Sequence, residues 1–248
     1  MSPLVLLHGF TGSPRTFDEV LAALPGRTAL RPLLAGHGDA PWPELVATFG
    51  DEVRRLTAVI TAWTEEPVHL VGYSLGARLA LALSLDRPDR VGRLTAVGAH
   101  PGLATPAARA VRRAQDESWV RLLEAGDLGR FVDAWERQPI LAHPVPRSPE
   151  RCEAQRRERL GHDPRGLARA LQALGLGEMP DLLPGLAASR VPLDLVVGEL
   201  DAAFSAHAGR ILEARPDARL HRVPGAGHNV PRESPLALAR ILSEDHCP

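Results

Sequence analysis

The feature that most constrains this chain is the run Gly72-Tyr73-Ser74-Leu75-Gly76, which joins an apolar segment, residues 68–71, to a helix-compatible one beginning at Leu75. A serine between glycines at a strand-to-helix junction occupies a sharp, strained turn. Side chains at the flanking positions would collide, and the turn lifts the serine Oγ above the edge of a sheet. The helix that follows offers free N–H groups to a developing negative charge. Such a junction calls for parallel strands covered by helices, so it bears on architecture as well as chemistry.

The rest of the sequence keeps that rhythm. Apolar runs at residues 4–7, 29–34, 68–71, 94–97, 193–197 and 219–223 read as strands, and amphipathic stretches at 16–24, 44–63, 75–85, 203–213 and 235–242 read as helices. Pro14 and Pro43 stand where a helix start tolerates proline. The alternation breaks between about Pro101 and Arg190. That stretch is rich in Arg, Ala, Glu and Leu and carries the helical pattern Val120-Leu123-Leu128-Phe131-Trp135. The expected organisation is an α/β core formed by residues 1–100 and 189–248, with residues 101–188 inserted as a helical cap. An insertion at the carboxyl edge of such a sheet lies above the place where ligands bind.

An unaided serine hydroxyl is a weak nucleophile or base, so it needs a histidine. The chain has ten. Of these, His69 falls in a strand, and His100, His143, His162, His207 and His246 fall in the cap, a helix or the tail. His228 differs, because Gly225-Ala226-Gly227-His228 follows the last strand and brings it to the carboxyl edge beside small neighbours. The orienting acid should follow the preceding strand, in Gly198-Glu199-Leu200-Asp201. Glu199 and Asp201 both qualify by type; Asp201 is favoured because it lies further past the strand, where a loop can reach His228. The expected catalytic set is Ser74, Asp201 and His228, in that chain order. An oxyanion hole needs two donors. The Leu75 N–H is one, and the Phe10 N–H is the other, since Gly9 lets the chain after the first strand turn toward Ser74. His8 reads as a structural hydrogen-bonding residue.

Composition narrows the function. The formal net charge of −1 leaves no nucleic-acid footprint. All 29 basic residues are arginine, which excludes Schiff-base chemistry and a phosphate loop of the GxxxxGK[ST] type. Two cysteines, Cys152 and Cys247, have no metal-type spacing and read as incidental thiols of a reducing compartment. No apolar run approaches the length of a membrane span, and the opening MSPLVLLHGF is too short and lacks the basic flank of a secretory leader. The expectation is therefore a cytoplasmic protein without membrane contact, a monomer or weak homo-oligomer, using no metal and no cofactor.

With these pieces the sequence resembles the α/β-hydrolase superfamily. A narrower resemblance comes from Leu7-His8-Gly9-Phe10-Thr11-Gly12-Ser13, Gly72 to Arg78, His100-Pro101-Gly102-Leu103, "FVDAWERQPIL", "GLARALQALGLGEMPDLL" and "GAGHNVPRESP". Together these look like the 2-succinyl-6-hydroxy-2,4-cyclohexadiene-1-carboxylate synthases of menaquinone biosynthesis, over nearly the whole chain. That resemblance implies a cofactor-independent carbon–oxygen lyase expelling pyruvate from a polycarboxylated cyclohexene, a small anionic substrate. Several carboxylates need several guanidinium partners. Arg78 stands one helical turn beyond Ser74, on the same helix face. The resemblance adds Arg112 and Arg159 as carboxylate-binding positions and Trp135 and Tyr73 as pocket walls. Two other functions compete: an esterase or related serine hydrolase, and a catalytically silent ligand receptor. The intact catalytic set speaks against the receptor, and the arginines against a neutral ester.

Overall fold

Strand β1 (Leu4–Leu7) shows how the sheet divides the core. Leu4 and Leu6 enter one apolar cluster and Val5 and Leu7 the other, because successive side chains of a strand point to opposite faces. All four are fully buried, the pattern of a strand covered on both faces. A computed structural model describes residues 2–141 and 148–244. In chain order the core elements are β1, α1 (Asp18–Ala22), β2 (Ala29–Leu30), α2 (Phe49–Trp63), β3 (Val68–Tyr73), α3 (Leu75–Asp86) and β4 (Val91–Val97). After the inserted helices α4 (Pro106–Glu124), α5 (Leu128–Glu136), α6 (Pro149–Leu160), α7 (Pro164–Leu174) and α8 (Leu183–Ala188) come β5 (Leu193–Gly198), α9 (Ala202–Ala214), β6 (Arg219–Val223), α10 (Val230–Glu233) and α11 (Pro235–Ser243). The expected α/β architecture is borne out.

The six strands lie in the order β2-β1-β3-β4-β5-β6, each pair parallel. The chain moves from β1 outward to β2, then crosses to the other side of β1 to form β3. The carboxyl ends of β1 and β3 therefore flank the point where strand order reverses, which is where open α/β sheets bind ligands. Gly9 and Ser74 follow directly there.

Several boundaries differ from the sequence expectation. The strand expected at 29–34 stops at Leu30. Pro32 has no N–H to give a ladder, and the next donors turn to side chains: Leu34 N–H to His8 Nε2 at 3.2 Å and Ala35 N–H to Glu52 Oε1 at 3.0 Å. The helix expected at 44–63 starts at Phe49, because Thr48 and Asp51 form a reciprocal capping box. Pro43 instead begins a turn closed by Val46 N–H to Pro43 O. The helix expected at 16–24 is a 3₁₀ turn, Pro14–Phe17, followed by the short α1.

Helices α4 to α8 connect β4 to β5. Side-chain caps open the longer ones: Thr105 for α4, Asp127 for α5, Ser148 for α6 and Asp163 for α7. Helices α4, α5 and α7 share a small apolar cluster containing Val120, Leu123, Phe131, Val132, Leu167 and Leu171, against which Phe10 of the core packs. Among the described residues no helix is long and apolar enough to cross a membrane. His143, His246 and Cys247 lie outside the described residues; Cys152 is exposed on α6.

The seat of α3 against β1 depends on one missing methyl. A Cβ on Gly76 would lie 2.1 Å from Leu7 O and 2.6 Å from His8 O, both rigid backbone atoms. Gly76→Ala is expected to lower stability by at least about 2 kcal/mol in urea denaturation, through forced separation of α3 from β1. A loss below about 0.5 kcal/mol would show that the helix can shift without penalty.

Candidate active site

Ser74 joins β3 to α3 with φ 53° and ψ −107°, a left-handed-side conformation that L-residues with a Cβ avoid. Its N–H is held by Val97 O at 2.9 Å. Neighbouring backbone crowds the turn: a Cβ on Gly72 would lie 2.3 Å from Gly76 O. The hydroxyl emerges at the carboxyl edge of the sheet, with Oγ 3.0 Å from His228 Nε2. On the far side of the ring, Nδ1 is 2.7 Å from Asp201 Oδ2, and both side chains are buried. A carboxylate can only accept, so Nδ1 carries the ring proton and Nε2 accepts from the Ser74 hydroxyl. Asp201 is itself fixed, since its Oδ1 caps α9 by accepting from Phe204 N–H at 3.2 Å. Phe204 lies against the imidazole with ring centres 4.2 Å apart. A Cβ on Gly98 would come within 2.8 Å of His228 Cε1, so the ring fills the space a side chain there would need. Glu199 is turned away; its Oε2 accepts from Gly225 N–H at 2.9 Å and braces the turn before His228.

The loop after β1 faces this serine. A Cβ on Gly9 would meet Tyr73 Cε1 at 2.9 Å and Ser74 Cβ at 3.4 Å, so the loop backbone lies directly against Ser74. Gly12 N–H closes the turn on Gly9 O at 3.0 Å. This places Phe10, and across from it Leu75 in the first turn of α3, beside Ser74; first-turn N–H groups have no intrahelical acceptor.

Ser74, His228, Phe10 and Leu75 line a cavity of about 610 Å³ whose other walls come from both the core and the inserted helices. That volume suits a small ligand. Arg78, Arg112, Arg159, Trp135 and Tyr73 all line it. Arg78 donates to Leu174 O at 3.0 Å and lies 3.7 Å from Met179 Sδ, both neutral partners. Burial, then the nearby Arg112 charge, pull its pKa down to about 9, against a smaller opposing effect of Asp116. It remains a cation at neutral pH. Arg112 and Arg159 are placed differently, each already beside a carboxylate: Arg112 Nε at 2.9 Å from Asp116 Oδ1, and Arg159 Nη1 at 2.7 Å from Glu136 Oε1. Trp135 stacks on Phe131 and meets Phe10 edge-on at 5.1 Å between ring centres.

The sequence reading missed part of this wall. Arg232, just after His228, lines the cavity in an ion pair with Glu158 of α6, and Glu158 also accepts from the Ser13 hydroxyl. No local motif announces that pairing, which joins residues remote in sequence. His100 and His207 also line the cavity, with ring centres 4.0 Å apart. His37 could have been noticed, for it lies between Gly36 and Gly38, both with positive φ.

Residues 4–241 match the model of the alpha/beta hydrolase family. The chain is 34% identical over 242 residues to 2-succinyl-6-hydroxy-2,4-cyclohexadiene-1-carboxylate synthase of Enterobacter sp. (strain 638), covering 97% of this chain and 90% of that protein. The protein of the same name from Salmonella paratyphi C (strain RKS4594) is 33% identical, with 97% and 92% covered. Among solved structures, MenH from S. aureus superposes with a TM-score of 0.91 at 26% identity, covering 97% of this chain and 91% of that one.

Burial also keeps a set of imidazoles neutral. It lowers the pKa of His8 to about 4 and that of His37 well below 6.5; His162 is lowered too, with Glu158 and the Thr11 carbonyl opposing. The unfolded chain takes up protons at these positions below pH 6.5 that the native state refuses. The associated stability is complete above pH 6.5 and is lost as pH falls toward about 4. Each such histidine adds up to about 1.4 kcal/mol of lost stability per pH unit within its window. Urea midpoints measured at pH 7, 6 and 5 should fall steadily; a flat series would contradict buried neutral imidazoles.

Proposed function

The chain belongs to the alpha/beta hydrolase family, and within it to the 2-succinyl-6-hydroxy-2,4-cyclohexadiene-1-carboxylate synthases, and we propose that it is a cofactor-independent lyase eliminating pyruvate from a polycarboxylated cyclohexene. The observation that carries the substrate class is Arg78. Its guanidinium, half-buried one turn from Ser74, donates to a carbonyl and a thioether, so an anionic group beside it would gain a charge-assisted partner. A neutral ester would leave that charge without a counterpart.

The geometry supports the following steps. Ser74 gives its proton to His228 Nε2 and removes the proton alpha to the succinyl carbonyl. Asp201 holds the ring in the accepting tautomer and steadies the imidazolium that forms. The Phe10 and Leu75 N–H groups receive the enolate oxygen. The electron pair then moves through the ring and breaks the carbon–oxygen bond to the enolpyruvyl group. The imidazolium protonates the departing enolate at carbon, which leaves as pyruvate, and the enzyme returns to its starting state. Arg78, Arg112 and Arg159 take the substrate carboxylates, the last two while remaining beside Asp116 and Glu136, and Trp135 and Tyr73 form flat walls for the ring. Residues 101–188 act as a cap over this site, with residues 1–100 and 189–248 as the core. The reading places the protein in the cytoplasm as a monomer or weak homo-oligomer.

Incubating the protein with the enolpyruvyl-bearing precursor and following pyruvate tests the reading directly; rapid burst hydrolysis of p-nitrophenyl acetate without pyruvate release would favour a serine hydrolase instead. Ser74→Ala, His228→Ala and Asp201→Asn should each lower turnover by orders of magnitude, and their effects should fall far short of additive because the three act as a unit. Arg78→Ala should cost about 2–5 kcal/mol in kcat/KM on the carboxylated substrate and little on a neutral ester, with Arg78→Lys recovering only part. Equal small effects on both substrates would remove Arg78 from carboxylate recognition.

A further inference from the structure

Thr11 has φ 60°, a left-handed conformation that a β-branched residue rarely adopts, and it is almost wholly buried. Both its backbone groups are held by imidazoles from different parts of the chain. Its N–H donates to His37 Nε2 at 3.3 Å, and its carbonyl lies 3.2 Å from His162 Nε2. The remaining ring nitrogens settle the tautomers. His162 Nδ1 accepts from Gly38 N–H at 2.7 Å, so the His162 proton sits on Nε2 and points at Thr11 O. His37 Nε2 accepts, so its proton sits on Nδ1, 3.2 Å from Ala35 O. Each ring therefore donates on one side and accepts on the other, which only a neutral imidazole can do, and the two rings meet edge to face.

We propose that His37 and His162 are positioning residues that hold the oxyanion loop in register through Thr11, with His162 tying that loop to the helical insert. The proposal rests on the oxyanion role given above to the Phe10 N–H, the peptide immediately before Thr11. His162 lies between α6 and α7, and the adjoining Asp163 N–H donates to Gly38 O at 2.8 Å, so the same ring spans the insert, the loop at Gly38 and the loop at Thr11. If the insert lifts, Thr11 loses its carbonyl partner and Phe10 loses its aim. Displacing a reacting group's partner by about 1 Å suffices to cost about a hundredfold in rate.

The two amide replacements separate the two ends of the His162 ring. Glutamine places its amide near the Nε2 position and can still donate to Thr11 O; asparagine reaches only the Nδ1 position and can still accept from Gly38 N–H. His162→Asn should lower kcat about tenfold to a hundredfold with KM changed less than about threefold, while His162→Gln stays within about threefold of the parent. Thermal denaturation should find the two variants alike. The same ordering is expected for the rate at which a fluorophosphonate labels Ser74, since that phosphonyl oxygen uses the same two N–H groups. Labelling keeps this test independent of the lyase reading: absence of pyruvate release by the parent protein defeats that reading, while labelling still ranks the variants. His37→Gln, which keeps an acceptor for Thr11 N–H, against His37→Asn, which does not, repeats the comparison from the other side if the His162 variants fold poorly. Indistinguishable labelling and kcat for the glutamine and asparagine variants would overturn the proposal.

Discussion

The site depends on keeping one serine in a backbone conformation it would not choose. At φ 53° Ser74 is unfavourable by itself, and it persists because its surroundings leave no other path for the chain. Gly76 lets α3 approach within van der Waals contact of the β1 carbonyls, and Val97 O fixes the serine N–H from the opposite neighbour strand. The strain is therefore carried by three strands and a helix together. Those same strands end in the Gly9 loop, the serine and the Gly98 turn under His228, so one packing arrangement sets how these three stand to one another.

Charge follows a gradient across the cavity. Beside the serine, the His228 ring is oriented by a fixed acceptor, Asp201. A turn away, Arg78 is charged but faces neutral atoms. Further from it, Arg112 and Arg159 of the insert and Arg232 of α10 each have a carboxylate at hand. Burying several like charges is tolerable only if most are compensated. The ion-paired arginines hold the wall together, and in the proposed reaction Arg78, whose own hydrogen bonds go to neutral atoms, attracts the incoming anion close to the reacting bond.

Much of this was legible in the sequence, and for physical reasons. The Gly72–Gly76 turn, the histidine after β6 and the acid after β5 are local features whose strand context is short and strongly apolar. Asp201 could be preferred to Glu199 from chain reach alone, and the two carboxylates do divide that way: one reaches His228, the other braces Gly225. Local reading failed where side chains replaced ladder partners, as at Leu34 and Ala35, or where a capping box overrode an apparent proline start, as at Thr48. It could not see Glu158 meeting Ser13 and Arg232, or His162 reaching Thr11, because those contacts exist only once α6 and α7 are folded over the sheet edge. Arg112 and Arg159 were placed on the cavity wall by family resemblance, but nothing in their spacing foretold the acids beside them.

The division between what local sequence encodes and what it does not matches a division of labour in the molecule. The groups that move protons in the proposed reaction are set by turns at strand ends, where a few residues determine the geometry. The groups that choose among anions, and those that brace the oxyanion loop, come from contacts between the insert and the core. Proton transfer can therefore be retained over a wide range of insert sequences, since Ser74, His228 and Asp201 hold each other without it. On the proposed role of the Phe10 N–H, alignment of the loop donor cannot, because Thr11 takes one of its two partners from the insert. A fold whose catalytic residues are common to many reactions can then be specialised by altering helices that touch the chemistry only through a strained threonine and a row of arginines.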